Sequence, residues 1–293
     1  MPKRISTARG REFGAGLRGA IDASGHSSRA IAAVVGWHES KLSDLGQGKG
    51  GASELEVGIL LGACRTPLPE RKHLLKLFRE SNVKGWWQQY GACNPVRLRT
   101  VVGQLSAAKS LVCWQALVVP GFLQTAAYSR EVLRSSANIP ANEVEDRVAA
   151  LVEAQRLLWR ISSCTFYIHE LALSLQVGGR ETHGEQMRHL LATSTRSSFD
   201  LRVLPASAGA HAGLNGAFTK LDFEKYEPLV WLQNENSSLF VEEKPAVAGY
   251  GVVVRRLDEI SLDAEQSRAV IARFAHTTSE EPHQEGETAC PLQ

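Results

Sequence analysis

The sequence predicts a multi-domain protein in which an all-α helix-turn-helix bundle precedes an α+β domain with an antiparallel sheet. Apolar residues recur at helical spacing up to about residue 83. Short β-branched and aromatic segments, separated by Gly, Asn and Pro, begin near residue 165. With 293 residues and 43% apolar content, the chain is long enough for two packed cores.

The segment from Gly25 to Lys49 has the layout of a helix-turn-helix. Gly36-Trp37 interrupts two short helical runs where the turn would lie. The apolar residues spaced to face a core are Ile31, Ala32, Val35, Leu42 and Leu45. Any small helical hairpin shares this layout, so DNA binding and a purely structural role both stay open on this pattern alone.

The elements follow in order along the chain. Five N-terminal helices are predicted at residues 11–23, 28–35, 38–45, 53–64 and 69–82. Ser53 is the predicted N-cap of the fourth, because Glu54 and Glu56 occupy its first turn. Further helices are predicted at about 100–115, 124–136, 141–159, 183–194, 246–259 and 263–275. The predicted strands of the sheet are 165–170, 199–205, 216–223, 228–233 and 238–243.

These elements divide the chain into four predicted regions. They are a flexible N-terminus at 1–10, a helix-turn-helix domain at 11–83, an α+β sensing or interaction domain at 84–276, and a disordered tail at 277–293. Residues 1–90 carry 14 Lys and Arg against 8 Asp and Glu, or +6, and residues 91–293 carry 19 against 23, or −4. The basic excess therefore lies on the helical part, as phosphate binding requires, although many solvated domains reach the same charge.

Cysteine spacing and hydropathy exclude several protein classes. The five cysteines, at 64, 93, 113, 164 and 290, form no C-x-x-C pair and are odd in number. This pattern favours reduced thiols over a zinc ribbon or a disulfide framework. Neither an apolar run of about 18 residues nor a signal peptide with a hydrophobic centre occurs, so the sequence predicts a cytoplasmic protein that does not enter a membrane.

Several long strings resemble one family. GWHESKLS, KGWW, LVVPGFLQT, QMRHLL and SAGAHAGLNGAFT are similar to segments of the actinobacterial Xre-type regulators, and the resemblance extends over about residues 11–276. It implies an N-terminal helix-turn-helix joined to a C-terminal domain of undefined chemistry. It also implies binding to double-stranded promoter DNA, usually as a homodimer. A small companion protein similar to the developmental protein BldB would act through the C-terminal domain.

The resemblance also assigns DNA contacts residue by residue. The predicted DNA-binding residues are Ser28, Arg29, Glu39, Ser40, Lys41, Ser43, Asp44 and Lys49. Ser28, Arg29 and Lys49 would contact phosphates, whereas Glu39, Ser40, Lys41 and Ser43 would enter the major groove.

Departures from the family pattern suggest an eroded DNA-binding head. Ser28 replaces a glutamine that braces a phosphate, and Asp44 replaces an arginine. Asp44 either weakens DNA binding by opposing phosphate charge or changes specificity by reading cytosine. His26 stands where the family has a core leucine. Four glycines lie inside predicted helices, at a cost of about 1 kcal/mol each relative to alanine: Gly14, Gly16, Gly19 and Gly46.

A second set of residues is a candidate ligand pocket in the C-terminal domain. Its members are Trp86, Trp87, Tyr90, Trp114, Phe122, Tyr128, His169 and His211. The aromatic residues line a cavity in one interpretation and form an ordinary domain-junction core in the other. His211 lies in the glycine-rich loop SAGAHAGLNG, where either a functional role or a simple hydrogen bond to backbone fits.

No catalytic residue, cofactor or metal site is predicted, because no H-E-x-x-H, G-x-S-x-G or carboxylate-rich metal loop occurs. GAGLRG fits G-x-G-x-x-G, but no hydrophobic strand precedes it, as a dinucleotide site requires. The leading function is therefore a DNA-binding regulator whose C-terminal domain senses a partner protein or small ligand. One alternative is a repurposed member whose C-terminal cavity binds or transforms a small molecule in a biosynthetic pathway. Another is an interaction protein that silences a related regulator in mixed dimers.

Overall fold

The computed structural model describes residues 6–81, 86–89, 96–235 and 237–277, and of residues 86–89, 96–100 and 277 it describes the backbone alone. The helices in this part of the chain are α1 (Ala8–Ala23), α2 (Ser28–Val34), α3 (Glu39–Gly46), α4 (Glu54–Ala63), α5 (Leu68–Glu80), α6 (Val96–Ala107), α7 (Ala126–Arg134), α8 (Val144–Leu158), α9 (Glu170–Ser174), α10 (Gly179–Thr193), α11 (Lys244–Ile260) and α12 (Ala264–Thr277). The strands are β1 (Trp86–Gln89), β2 (Ala108–Gln115), β3 (Ser163–His169), β4 (Phe199–Leu204), β5 (Phe218–Phe223), β6 (Leu229–Gln233) and β7 (Ser237–Val241). The tail predicted at 277–293 lies outside the described residues, apart from the backbone of its first residue.

The predicted fold class is confirmed: α1 to α5 form an all-helical bundle, and an α+β domain follows. The strands form one sheet in the order β1-β7-β6-β5-β2-β3-β4. Antiparallel pairing predominates, as predicted, but β2, β3 and β4 are parallel to one another. Helices intervene between β2 and β3 and between β3 and β4, so each connection returns the chain to the same end of the sheet.

One predicted helix is wrong in its second half. The helix expected at 100–115 ends at Ala107, and residues 108–115 form strand β2. Strand β2 lies inside the sheet, between β3 and β5. Cys113 and Trp114 are both buried, although they point to opposite faces. A strand covered on both faces loses the polar alternation that marks strands in a sequence.

Two hydrophobic cores lie on the two faces of the sheet. Cys113 belongs to the larger core, with α6, α8, α10 and α12, and Trp114 belongs to a smaller one, with α11. A third core lies inside the N-terminal bundle and contains Ile31, Ala32, Leu42 and Leu45, as the helical spacing predicted.

Close backbone contacts in the bundle explain two of its glycines, Gly14 and Gly10. A Cβ at Gly14 would lie 2.7 Å from the carbonyl carbon of Gly46, and one at Gly10 would collide with the Gly48 carbonyl. A Cβ at Gly16 would lie 2.5 Å from the Leu74 side chain. Only glycine lets α1 pack this closely against the end of α3. Gly14 is therefore needed for packing and is not a sign of erosion, whereas a Cβ at Gly16 would meet only the tip of the flexible Leu74 side chain.

The N-terminal end of α1 joins the bundle to the second domain. The helix begins at Ala8, before the predicted start, because the Thr7 hydroxyl caps it by accepting from Gly10 N. The same hydroxyl donates to the Ser81 carbonyl at the end of α5. Ala8 N donates to Glu242 Oε1 beyond β7 at 2.6 Å. Helix α1 thus contacts both parts of the protein.

Candidate functional site

Helices α2 and α3 are held in fixed relation by a glycine turn. Ser27 caps α2 by accepting from Ala30 N at 3.2 Å. Gly36 has a φ of +67°, a left-handed conformation that favours glycine. Trp37 N then donates to the Ala32 carbonyl at 2.8 Å. The turn predicted at Gly36-Trp37 is confirmed, and α3 follows it with its first residue at Glu39.

Five of the eight predicted DNA-binding residues line one groove of about 440 Å³ between α1, α2 and α3. They are Ser28, Arg29, Glu39, Ser40 and Ser43. All five side chains are exposed, and Leu17 and Ile21 of α1 also line the groove. Lys41, Asp44 and Lys49 are half-buried and are not among its lining residues. Hydroxyl groups and a guanidinium that face one groove can donate hydrogen bonds to phosphates or base edges.

Each predicted DNA-binding cation has an acidic partner within the protein. Arg29 Nε lies 3.1 Å from Glu39 Oε1, and Lys49 Nζ lies 3.4 Å from Asp44 Oδ1. Lys41 forms an ion pair with Glu56. A phosphate would have to replace these internal partners before any of the cations could contribute to its binding.

Lys41 is the most firmly held of these cations. Its Nζ lies 4.4 Å from the centre of the Trp37 ring, within the range of a cation–π contact. The hydrogen bond from Lys41, together with one from the Ser53 backbone, lowers the pKa of Glu56 to about 2. Glu56 also completes the capping box of α4 with Ser53, which confirms the predicted N-cap. Sequence reasoning identified the cap but not the ion pair, because the pairing depends on how α4 packs near α3.

Two further residues of the head differ from expectation. His26 is exposed, so it does not occupy a core position and cannot erode one. Arg18 was not predicted, yet it lines the groove and donates from Nη1 to the Gly46 carbonyl at the end of α3. A cation at a helix C-terminus is favourable because it faces the negative end of the helix dipole.

In the second domain, three of the predicted pocket residues lie in contact. The His169 and His211 rings stack with centres 5.4 Å apart. The Trp114 indole meets His169 edge-on at 6.2 Å and His211 at 5.3 Å. His169 ends β3, Trp114 lies near the end of the adjacent strand β2, and His211 lies in the loop after β4. The carboxyl ends of parallel strands meet at one edge of a sheet, where ligands commonly bind.

Hydrogen bonds place both imidazoles in one tautomer. His169 Nδ1 accepts from Leu171 N at 3.1 Å, and His211 Nδ1 accepts from Gly213 N at 3.1 Å. Each neutral ring therefore carries its proton on Nε2, where it is a donor. Trp114 Nε1 donates to the Gly213 carbonyl at 2.9 Å and thereby fixes the loop. The backbone hydrogen bond considered for His211 is present.

The histidine pair does not form a metal site among the described residues, because no third His, Cys, Asp or Glu completes a group there. Burial lowers the pKa of His169, against the attraction of Glu170. Burial also lowers the pKa of His211, and the neighbouring His169 lowers it further. These shifts favour the neutral form of both rings, in which the pair offers two N–H donors rather than two charges.

Acidification is expected to destabilise the protein, because burial also lowers the pKa of His183 and His189. The unfolded chain takes up protons first, near the ordinary histidine value of 6.5. The free energy of unfolding should thus fall as pH drops through that value. We expect Tm to decrease by several degrees between about pH 7.5 and about pH 5.5. His211→Asn retains an acceptor for Gly213 N but removes one titrating group, so the Tm of this variant should decrease less over the same pH range. An equal decrease in Tm would contradict the histidines as the origin of the effect.

The other predicted pocket residues do not join this cluster. Phe122 and Tyr128 are buried in the larger core, on the opposite face of the sheet from Trp114. The Tyr128 hydroxyl accepts from Val119 N at 3.3 Å. The interpretation of one shared aromatic cavity is therefore wrong for these two residues. The side chains of Trp86 and Trp87 and the whole of Tyr90 lie outside the described residues.

Exposed leucines follow the same strand ends as the histidine pair. Leu117, Leu171 and Leu214 come shortly after β2, β3 and β4, and each is more than half exposed. Large exposed apolar residues that share one edge of a sheet are typical of a protein contact surface.

Comparison with known proteins gives one family. Residues 98–273 match the family described as Domain of unknown function (DUF5753), and the match covers more than half of the chain. The matched range begins within α6, after the helical bundle. No curated protein matches the chain, and no solved structure matches it. None of the helices in the described residues is both long enough and apolar enough to cross a membrane.

Proposed function

The chain belongs to the DUF5753 family, and we propose that it is an Xre-type DNA-binding transcriptional regulator whose C-terminal domain senses a partner protein or a small ligand. One observation carries this proposal: Ser28, Arg29, Ser40 and Ser43 line a single exposed groove between two helices that a glycine turn holds together. A helix-turn-helix places its second helix in the major groove and contacts the backbone with the first.

We assign the individual contacts as the family resemblance implies. Ser28, Arg29 and Lys49 contact phosphates, while Glu39, Ser40, Lys41 and Ser43 of α3 reach base edges. Arg29 is the most accessible of the cations, since 85% of its side chain is exposed even in its ion pair with Glu39. Exposed ion pairs are worth little in water, so phosphate readily replaces Glu39 as the partner of Arg29.

We also propose partners for both domains. The protein binds double-stranded DNA in the cytoplasm as a homodimer, and each protomer reads one half-site. The exposed leucines after β2, β3 and β4 support a partner at the carboxyl edge of the sheet, and a small BldB-like protein is the partner that the family resemblance implies. The His169–His211 pair lies at the same edge and supplies donors that give such a contact direction.

Lys41→Glu tests the proposal most simply. It reverses the charge on the recognition helix and places two acids side by side at Glu56, so binding to a labelled duplex from the upstream region of its own gene should be lost. Lys109→Glu is the matched control, because Lys109 is exposed on β2 of the second domain. Fluorescence anisotropy should show unchanged affinity for the control. Equal affinity of the two variants would refute the assignment of α3 as the reading helix.

A second candidate function has one observation in its favour. The internal acids beside Arg29, Lys41 and Lys49 reduce the positive charge that the head offers to DNA. A family member with such a head would bind or transform a small molecule through its C-terminal domain instead. If the wild-type protein is folded and does not bind any duplex at low salt, this second function replaces the first.

A further inference from the structure

A cavity of about 560 Å³ lies between the helical bundle and the second domain. Residues of α1, α3, α5 and α6 form its walls, together with Tyr226 from the loop after β5. This volume is within the range of pockets that hold small molecules. The cavity is separate from the histidine pair and belongs to neither domain alone.

Arg11 is a buried cation on the wall of this cavity. Only 8% of its side chain is exposed. Its Nε and Nη2 donate to Gln104 Oε1 at 2.9 and 2.7 Å, and Nη1 donates to the Ser6 carbonyl at 3.0 Å. A guanidinium has five N–H groups, so two of them make no hydrogen bond within the described residues. Burial lowers the pKa of Arg11, against the attraction of Glu242.

The nearest acid compensates Arg11 only in part. Glu242 Oε1 lies 3.9 Å from Arg11 Nη2, at the limit of an ion pair and beyond hydrogen-bond distance. Aromatic rings cover the guanidinium, whose central carbon lies 4.9 Å from the Phe223 ring centre and 5.0 Å from that of Tyr226. A desolvated guanidinium with unused donors favours an oxyanion, which accepts two parallel hydrogen bonds.

The other lining residues restrict the chemistry of the ligand. Arg18 supplies a second cation. Of the two lining acids, Glu12 is already paired with Arg9, at 3.3 Å, which leaves Glu70 beside His73 on α5. Arg18 forms no ion pair within the described residues, so its charge remains available to a ligand. Apolar contact is available from Leu74, Leu77 and Ala107. The volume is also far larger than an inorganic anion requires, so the lining suits an acid with an apolar body.

We propose that this interdomain cavity binds a small organic oxyanion, with its acidic group at Arg11 and Arg18 and its apolar body against Leu74, Leu77 and Ala107. Carboxylates and phosphate esters share this chemistry, and the two are distinguished by the test below. The site uses α1 and α6 together, so the ligand also fastens the bundle to the second domain.

The cavity and the proposed DNA groove share one wall. Arg18, Gly46 and Gln47 line both, and Arg18 donates to the Gly46 carbonyl at the end of α3. An oxyanion held by Arg18 therefore contacts the same guanidinium that donates to the end of α3, so it alters the setting of that helix. Ligand binding therefore changes DNA affinity, a consequence that rests on the proposed DNA-binding function, whereas occupation of the cavity does not.

Fluorine NMR of the full-length protein tests occupation of the cavity. The probes are para-fluorobenzoate and para-fluorophenyl phosphate, with neutral para-fluorobenzyl alcohol as the control. Gly103→Leu fills the cavity, because Gly103 lines it and a Cβ there meets nothing within 4 Å. Gly19→Leu is the matched control: it also replaces a helical glycine whose Cβ would meet nothing within 4 Å, but Gly19 is not a lining residue.

We expect the fluorine resonance of at least one anionic probe to broaden in the presence of the wild-type protein and of Gly19→Leu. This line broadening should be lost with Gly103→Leu. Broadening of one anion alone identifies its source as carboxylate or phosphate. Arg18→Gln, on an exposed side chain, should weaken binding without disturbing the fold and serves if Gly103→Leu does not fold. The proposal is overturned if neither anion shows a broadened resonance, or if the resonance of the alcohol broadens equally. It is also overturned if neither Gly103→Leu nor Arg18→Gln reduces binding of the probe. Probe binding without any DNA binding would refute the proposed function and leave this site standing.

Discussion

Asp44→Asn is expected to tighten DNA binding about tenfold at low salt. The substitution removes an acid from the phosphate-facing surface and frees Lys49, whose Nζ lies 3.4 Å from Asp44 Oδ1. One additional phosphate contact should steepen the slope of log K against log salt by about 0.9. Anisotropy titrations of one duplex at several salt concentrations measure both quantities.

The matched control for this variant is Asp146→Asn, which makes the same charge change on an exposed residue of α8, in the second domain. Its affinity should equal that of the wild-type protein. If Asp44→Asn binds no more tightly than this control, Asp44 contributes through base recognition rather than by opposing phosphate. In that case the substitution should change which duplex sequences the protein prefers, and not its overall affinity for DNA.

Gly14→Ala is expected to destabilise the protein, although alanine is the better helix former. The new Cβ would lie 2.7 Å from the Gly46 carbonyl carbon, so α1 must move away from α3. Such overpacking costs about 1–3 kcal/mol, which exceeds the gain of about 1 kcal/mol in helix propensity. Urea unfolding should show a lower midpoint than that of the wild-type protein.

Gly19→Ala is the opposite case on the same helix. A Cβ at Gly19 meets nothing within 4 Å, so only the propensity term acts, and the variant should gain up to about 1 kcal/mol. Opposite signs for the two variants would establish that the glycines of α1 serve packing where α3 approaches. Equal stabilisation by both substitutions would mean that the bundle tolerates a Cβ at Gly14 beside Gly46.

Local patterns predicted the head well because its helices are set by nearby residues. The spacing of Ile31, Leu42 and Leu45 defined a buried face, and the glycine turn lay where Gly36 requires a positive φ. Ser53 could be recognised as a cap because its partners follow within one helical turn. The fold class could also be predicted, since only helical periodicity occurs up to about residue 83 and strand periodicity begins near residue 165.

Long-range pairing explains what sequence reasoning missed. Strand β2 is buried on both faces, so it carried no alternation that would distinguish it from a helix. The ion pair of Lys41 with Glu56 joins residues on different helices, and the contact of Gly14 with Gly46 depends on how α1 packs against α3. His169 and His211 were both selected from the sequence, but their stacking depends on which strands are neighbours in the sheet.

The glycines and ion pairs change the interpretation of the head. Gly14 is required by its packing against Gly46, and His26 is exposed, so these departures do not indicate a failing fold. The helix-turn-helix departs from the family pattern mainly in its charge, since acids form ion pairs with Arg29, Lys41 and Lys49. These ion pairs should therefore lower the affinity of the protein for DNA, and that affinity can be measured directly.

The most direct test is a salt titration of the wild-type protein on its upstream duplex and on a scrambled duplex of equal length. We predict selective, saturable binding to the upstream duplex. The logarithm of the association constant should fall against the logarithm of the salt concentration with a slope of roughly −2 to −3 per protomer. That slope would correspond to two or three phosphates neutralised by cations of the helix-turn-helix, with Arg29 and Lys49 among them. A folded protein that binds neither duplex at low salt, or binds both equally, would contradict the account.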